Sequence, residues 1–290
     1  MIVDAHVHFW DPRRGDDILI VQRDASMRHR FFPSDLQPFL HRHGIERCVV
    51  MQSAPHEDET RHLLSITAGL PWIHGIVGWS DLESPDFSDR LRALQVLGPI
   101  LGLRVMLHRL DDAAWITRPA VIRSLHVLAD AGLSLDMVMA TPHLEPVRQA
   151  LVQVPALRAI VNHGATPPIG SDAMSSWSNG ITSLAKDTGA WCKFSGLLEA
   201  ALPQTSLAAV LPSAEHLWRC FGPRRLLFAS NWPCCDRVTG FDAWWNDFHA
   251  LMDHLQVVPK DLDAVLGSNA LQAYCIPEIA ATSTSTTHAA

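Results

Sequence analysis

The chain has 290 residues, 48% hydrophobic and 18% charged, enough to bury a sizeable core in one large domain. Its formal net charge of -7, with no basic cluster, removes the electrostatic case for nucleic acid. Six cysteines without a CxxC pair, two of them vicinal at Cys234 and Cys235, fit a thiol-containing cytoplasmic protein better than a disulfide framework.

From the N-terminus, short β-branched runs alternate with longer amphipathic ones. Strands are expected at 2–8, 46–53, 72–82, 101–107, 133–139, 157–163, 190–196 and 225–232. They are nearly continuous in apolar character, as parallel strands buried on both faces should be. Helical patterns fall between them. One at 34–44 opens on Ser34, ends at Gly44 and is disturbed by Pro38; another at 59–69 puts Leu63, Leu64 and Ala68 on one face. A third at 119–132 starts with Pro119 and ends with Gly132, and further ones are read at 142–155, 178–189, 213–222, 241–255 and 259–274. No basic leader precedes the first strand, so no signal peptide is expected. No apolar stretch free of Gly and Pro is long enough to span a bilayer, so no membrane partner is expected either. The last residues, 277–290, are polar and of low complexity and are expected to be disordered.

Strand–helix alternation repeated eight times predicts an α/β fold, a (β/α)8 TIM-type barrel spanning 1–276 as a single domain. A doubly wound sheet is the alternative, but no GxGxxG loop follows any strand. In such a barrel the site lies at the C-terminal strand ends. The polar residues there are His6 and His8 on the first strand, Gln52 and Ser53 on the second, and Trp79 and Asp81 on the third. Arg104, Asp136, Asn162 with His163, Lys193 with Ser195, and Asn231 follow on the others. His6 and His8 point to one face of a strand, ~6–7 Å apart at Cα. Such a pair, joined by His163, suits a divalent cation with an open position for water; two hydrogen-bonded structural histidines are the alternative. Arg104 offers a guanidinium fork to a carboxylate or ring oxygens, or a salt bridge to Asp136. Trp10 and Trp79 offer apolar walls, and Gln52 offers a hydrogen bond to a substrate hydroxyl. No GxSxG elbow is present, which argues against a serine hydrolase.

The segments DAHVHFW (4–10), VNHGATPP (161–168) and FGPRRLLFASNWP (221–233) resemble the amidohydrolase superfamily. GWSDL (78–82), GLRVML (102–107), KFSGL (193–197) and GSNA (267–270) narrow the resemblance. They point to the branch of sugar-acid lactonases (L-fuconolactonase- and L-rhamnonolactonase-like) and 2-pyrone-4,6-dicarboxylate hydrolase. The resemblance implies a cytoplasmic hydrolase, possible as a homo-oligomer, that opens a small aldono-lactone by water attack on the ring carbonyl. A pyrone-dicarboxylate hydrolase or an aromatic-acid decarboxylase of the same superfamily is the alternative. It also implies His6, His8, His163 and the strand-8 residue as catalytic, with Arg104, Gln52, Trp79, Trp10 and Asp136 around the substrate. As cofactor it implies one zinc or manganese ion on His6, His8 and His163, or metal-independent catalysis. The family commonly reads GSDWP where this chain reads ASNWP, so Asn231 replaces the acid taken as general base. An amide cannot take a proton from water. Either another residue, such as a histidine or Asp236, serves as base, or the barrel is an inactive or inactivated ligand-binding protein.

Overall fold

A computed structural model describes residues 1–201 and 206–277. The polar tail therefore lies, apart from residue 277, outside the described residues. The strands are β1 (Ile2–Val7), β2 (Ile45–Met51), β3 (Ile73–Gly78), β4 (Ile100–Met106), β5 (Ser134–Val138), β6 (Arg158–Val161), β7 (Trp191–Phe194) and β8 (Leu226–Phe228). They form one parallel sheet in sequential order. The sheet closes through a parallel bridge between Val7 and Trp232. Two backbone bonds secure the seam, His8 N–H to the Trp232 carbonyl at 2.8 Å and Asn231 N–H to the His6 carbonyl at 3.0 Å. The architecture is the expected (β/α)8 barrel.

The buried Asp4 carboxylate clamps the same seam. One oxygen accepts from the backbone N–H of His6 at 3.1 Å and of Ser230 at 2.9 Å. Burial pushes this acid up to about 6 against those bonds. The barrel therefore closes on the residues flanking its two most informative motifs.

Helices at Pro33–Arg42, Glu57–Thr67, Pro119–Asp130, Leu144–Gln153, Met174–Asp187, Leu207–Phe221 and Phe241–His254 cover the sheet. A helix at Phe87–Leu97, absent from the sequence reading, completes the alternation between β3 and β4. It buries Phe87, Leu91 and Leu94, one face of a helix. The region read as one helix over 259–274 is three pieces, Pro259–Asp263, a π-turn at Ala264–Ser268, and Asn269–Ala273. The main apolar cluster lies between sheet and helices. A smaller one joins Val3, Val49, Val77, Ile160 and Leu227 with Leu271 and Tyr274. Because it unites strands that are not neighbours, it fills the barrel interior, with the C-terminal segment supplying part of the plug. Among the described residues no helix is long and apolar enough to cross a membrane.

Candidate active site

The C-terminal strand ends surround a cavity of about 290 Å³. His8, Trp10, Arg104, His163 and Asn231 line it, together with Glu199, which the sequence reading did not single out. Arg23, His108 and Arg237 stand at its edge.

Below the cavity runs a continuous polar chain. Asp136 on β5 and Lys193 on β7 form a fully buried ion pair at 2.5 Å, and the Tyr274 hydroxyl donates to the same carboxylate at 3.0 Å. Lys193 Nζ also meets His6 Nδ1 at 3.1 Å. His6 Nε2 meets His8 Nε2 at 2.9 Å, and His8 Nδ1 meets the Met51 carbonyl at 2.9 Å. The carbonyl only accepts, so His8 carries its proton on Nδ1 and its Nε2 must accept from His6. His6 Nδ1 then accepts from the lysine. The proton order runs from Lys193 through His6 and His8 to Met51. Burial, and then neighbouring positive charge, holds both imidazoles well below the ordinary histidine range, so both are neutral. Burial likewise brings Lys193 down to about 8, opposed by Asp136.

That order bears directly on a metal. Two imidazoles that ligate one ion must both direct lone pairs at it. His6 would then carry its proton on Nδ1, facing the Lys193 ammonium, donor against donor. The usual second partner of a ligating histidine is a carboxylate or carbonyl. Position 231 adds no negative charge. Among the described residues no group of three or more His, Cys, Asp or Glu has the geometry to hold a metal. The donor set as it stands does not fit a resident divalent ion.

His163 occupies the 3₁₀ turn after β6, its ring centroid 4.6 Å from that of His6. Its Nδ1 pairs with Ser195 Oγ at 2.8 Å. Burial and Arg104 keep it neutral as well. Its backbone is left-handed (φ 54°), as is that of Asn231 (φ 59°). Such φ values are uncommon for residues other than glycine and gather at functional sites. Gly196 packs so closely that a Cβ there would lie 2.7 Å from the His163 ring.

Arg104 reaches the Gln52 carbonyl with one nitrogen at 2.5 Å, while its buried Nε finds no partner. The alternative salt bridge to Asp136 is not formed, because Asp136 is committed to Lys193. Gln52 returns a bond from its side chain to the Arg104 carbonyl at 3.2 Å. Gln52 and Asp136 are wholly buried and sit behind the cavity wall. The Trp10 indole donates to the Met27 and His29 carbonyls, leaving its apolar body to the cavity. Trp79 lines a neighbouring cavity instead, with Asp81 and Trp115. Cys234 borders the site, but burial and Glu199 push its thiol to about 12, so it is no nucleophile. Asp236 is not among the cavity-lining residues.

Comparisons with known proteins bear on the family and the fold. The profile of the family described as Amidohydrolase matches residues 3–276. An L-fucono-1,5-lactonase of Burkholderia ambifaria is 32% identical over 261 residues, 83% of this chain and 90% of that protein. An L-fucono-1,5-lactonase of Burkholderia multivorans is 25% identical over 95% of this chain and 96% of its own length. The crystal structure of an amidohydrolase from Burkholderia multivorans with bound Zn superposes with a TM-score of 0.89 at 23% identity, covering 96% of this chain and all of that one. Zinc thus occurs in a protein of this fold.

Proposed function

This chain belongs to the amidohydrolase family, and we propose that it opens an aldono-1,5-lactone of the L-fuconolactone type by water attack, with no step routed through a metal. The observation that carries the reading is two neutral imidazoles, His8 and His163, and the Arg104 guanidinium lining one small cavity at the C-terminal strand ends, with a third neutral imidazole, His6, bonded behind His8. The lactonase relatives supply the substrate class.

Each group has a task it can perform as placed. The Arg104 guanidinium and the His163 imidazole line the cavity that would receive the lactone carbonyl, and both can donate to the oxygen as it gains charge. That role requires His163 to carry its proton on Nε2, with Ser195 donating to Nδ1 at 2.8 Å. The Lys193–His6–His8 chain orients His8 at the cavity wall and supplies positive potential from below. Trp10 gives the sugar ring an apolar face. As the tetrahedral intermediate collapses, the bond to the ring oxygen breaks and a hydroxy acid is released.

Arg23 and Arg237 at the edge favour a second reading, a lactone bearing free carboxylates such as the pyrone dicarboxylate. Arg237, however, is already bonded to Asp24 at 2.8 Å, which favours the neutral sugar lactone.

A pH-indicator screen of aldono-lactones and the pyrone dicarboxylate, run on enzyme of measured metal content with and without chelator, tests both readings. Opening of a 1,5-aldonolactone at a rate unchanged by chelator is expected. Activity on the pyrone alone would transfer the assignment to the second reading. Activity abolished by chelator and restored by zinc or manganese would overturn the metal-free mechanism.

A further inference from the structure

We propose that Glu199 is the general base that takes the proton from the attacking water, and that Asn231 positions it. The proposal rests on the lactonase reading above and supplies the step which that reading leaves open.

Glu199 sits in the short helix Leu197–Ala200, immediately after the strand-7 end and the Gly196 turn that backs His163. Its carboxylate faces the same cavity as His163, Arg104 and Asn231. One carboxylate oxygen accepts from Asn231 Nδ2 at 2.9 Å. Asn231 is itself fixed by its left-handed backbone and by its N–H bond to the His6 carbonyl. The acid missing from position 231 is therefore present one hydrogen bond away, on a different strand end.

The pairing also explains the amide. Two carboxylates 2.9 Å apart cannot both ionise, and one would hold a proton through neutral pH. An asparagine at 231 donates instead, leaving Glu199 ionised and aimed. Asn231 is then the partner of a displaced acid rather than the trace of a lost one. The charged and titratable groups around Glu199 are few. Arg237 draws its carboxyl down, Cys234 and Cys235 are neutral thiols, and Arg104 and His163 face it across the cavity. Burial outweighs these and moves the carboxyl up, towards the pH at which a base works best.

The step balances within the site. Glu199 takes one proton from water as the water oxygen bonds to the lactone carbon. The carbonyl π pair moves onto its oxygen, held by Arg104 and His163. On collapse the carbon–ring oxygen bond breaks, and the proton passes from Glu199 to the departing oxygen.

Glu199→Gln keeps an acceptor for Asn231 and should fold as the wild type does. Its kcat should fall about 10²- to 10⁴-fold with little change in KM, and the acid limb of the kcat/KM profile should vanish. Formate should restore part of the activity of Glu199→Ala. In the Glu199→Gln background, Asn231→Asp should also regain activity, because it returns a carboxylate to the cavity. Wild-type kcat and an intact acid limb in Glu199→Gln would overturn the proposal while leaving the lactonase reading standing. If the wild type opens no lactone, the lactonase reading fails, and infrared titration of the carboxyl band decides separately on Glu199. A Glu199 band, identified by its loss in Glu199→Gln, that titrates in the ordinary glutamate range and ignores Asn231→Ala would then overturn the assignment.

Discussion

The floor and the rim of the barrel mouth use similar residue types to opposite ends. On the floor, Asp136, Lys193, Tyr274, His6 and His8 bond to one another until almost every polar atom is satisfied. On the rim, Arg104, His163 and Asn231 line the cavity, and the last two hold left-handed backbones. A satisfied buried network fixes position, whereas open donors beside a cavity are available to a ligand. Floor substitutions should therefore register first in stability and rim substitutions first in turnover.

The largest effect belongs to the floor. Asp136→Asn leaves the Lys193 ammonium buried without its counter-charge and should cost about 3–5 kcal/mol in chemical denaturation. The double variant Asp136→Asn with Lys193→Met removes the stranded charge and should recover much of that loss. If Asp136→Asn unfolds like the wild type but has lost turnover, the floor is part of the reactive machinery and the division fails.

On the rim, His163→Gln should lower kcat about 10²-fold, the scale of removing one donor from a developing oxyanion. Its denaturation midpoint should stay close to the wild-type value. A variant that loses stability in proportion to activity would make His163 a packing residue. A smaller change tests what holds that ring. Gly196→Ala introduces a Cβ 2.7 Å from the imidazole at a position with φ 66°. It should cost about 1–2 kcal/mol in the strained backbone alone and also lower kcat, because the ring must move aside.

This division explains which parts of the molecule could be read in advance. The eight strands were legible because each is a short apolar run, and HxH at the end of the first pointed to the C-terminal mouth of the barrel. The eighth, expected over 225–232, is regular only at Leu226–Phe228. Beyond it the chain turns left-handed at Asn231 to bond to β1, a bend that apolar patterning does not encode. The helix at Phe87–Leu97 escaped because its apolar face runs on into the apolar start of β4. Trp79 follows β3 directly in sequence, yet the chain leaves the strand at Gly78 and carries the indole to the next cavity. Glu199 gave no local sign. It lies 32 residues before Asn231, in a turn after β7, and only barrel closure brings the two together. Its one available signal was the missing acid at 231, which required a carboxylate from elsewhere.

Glu59 gives the comparison its finest test. Like Glu199 it is a buried acid beside the mouth, and burial raises it from an ordinary 4.5 to about 8. Both its oxygens, however, accept backbone N–H bonds from Ser53 and Ala54, fixing the loop whose Ser53 hydroxyl meets His8. It does not line the cavity. A displaced pKa is thus common to both acids, and only access to the cavity separates a reactive group from a structural one. Glu59 should therefore show in stability and not in turnover. Folded protein holds its proton up to about 8, whereas the unfolded chain releases it near 4.5. Its stabilisation is complete below 4.5 and is lost as pH rises towards 8. Asp4 makes the same kind of contribution only up to about 6, and Lys193 acts in the opposite sense from about 8 upward. The histidines held low act below their ordinary 6.5. Between about pH 7 and 8 the slope thus belongs to Glu59, joined by Glu199, whose carboxyl burial also raises. Urea midpoints across that interval should fall in the wild type and fall less steeply in Glu59→Gln, with kcat little changed. Equal slopes in the two proteins would show that the Glu59 carboxyl is ionised in the fold, held by its two backbone donors.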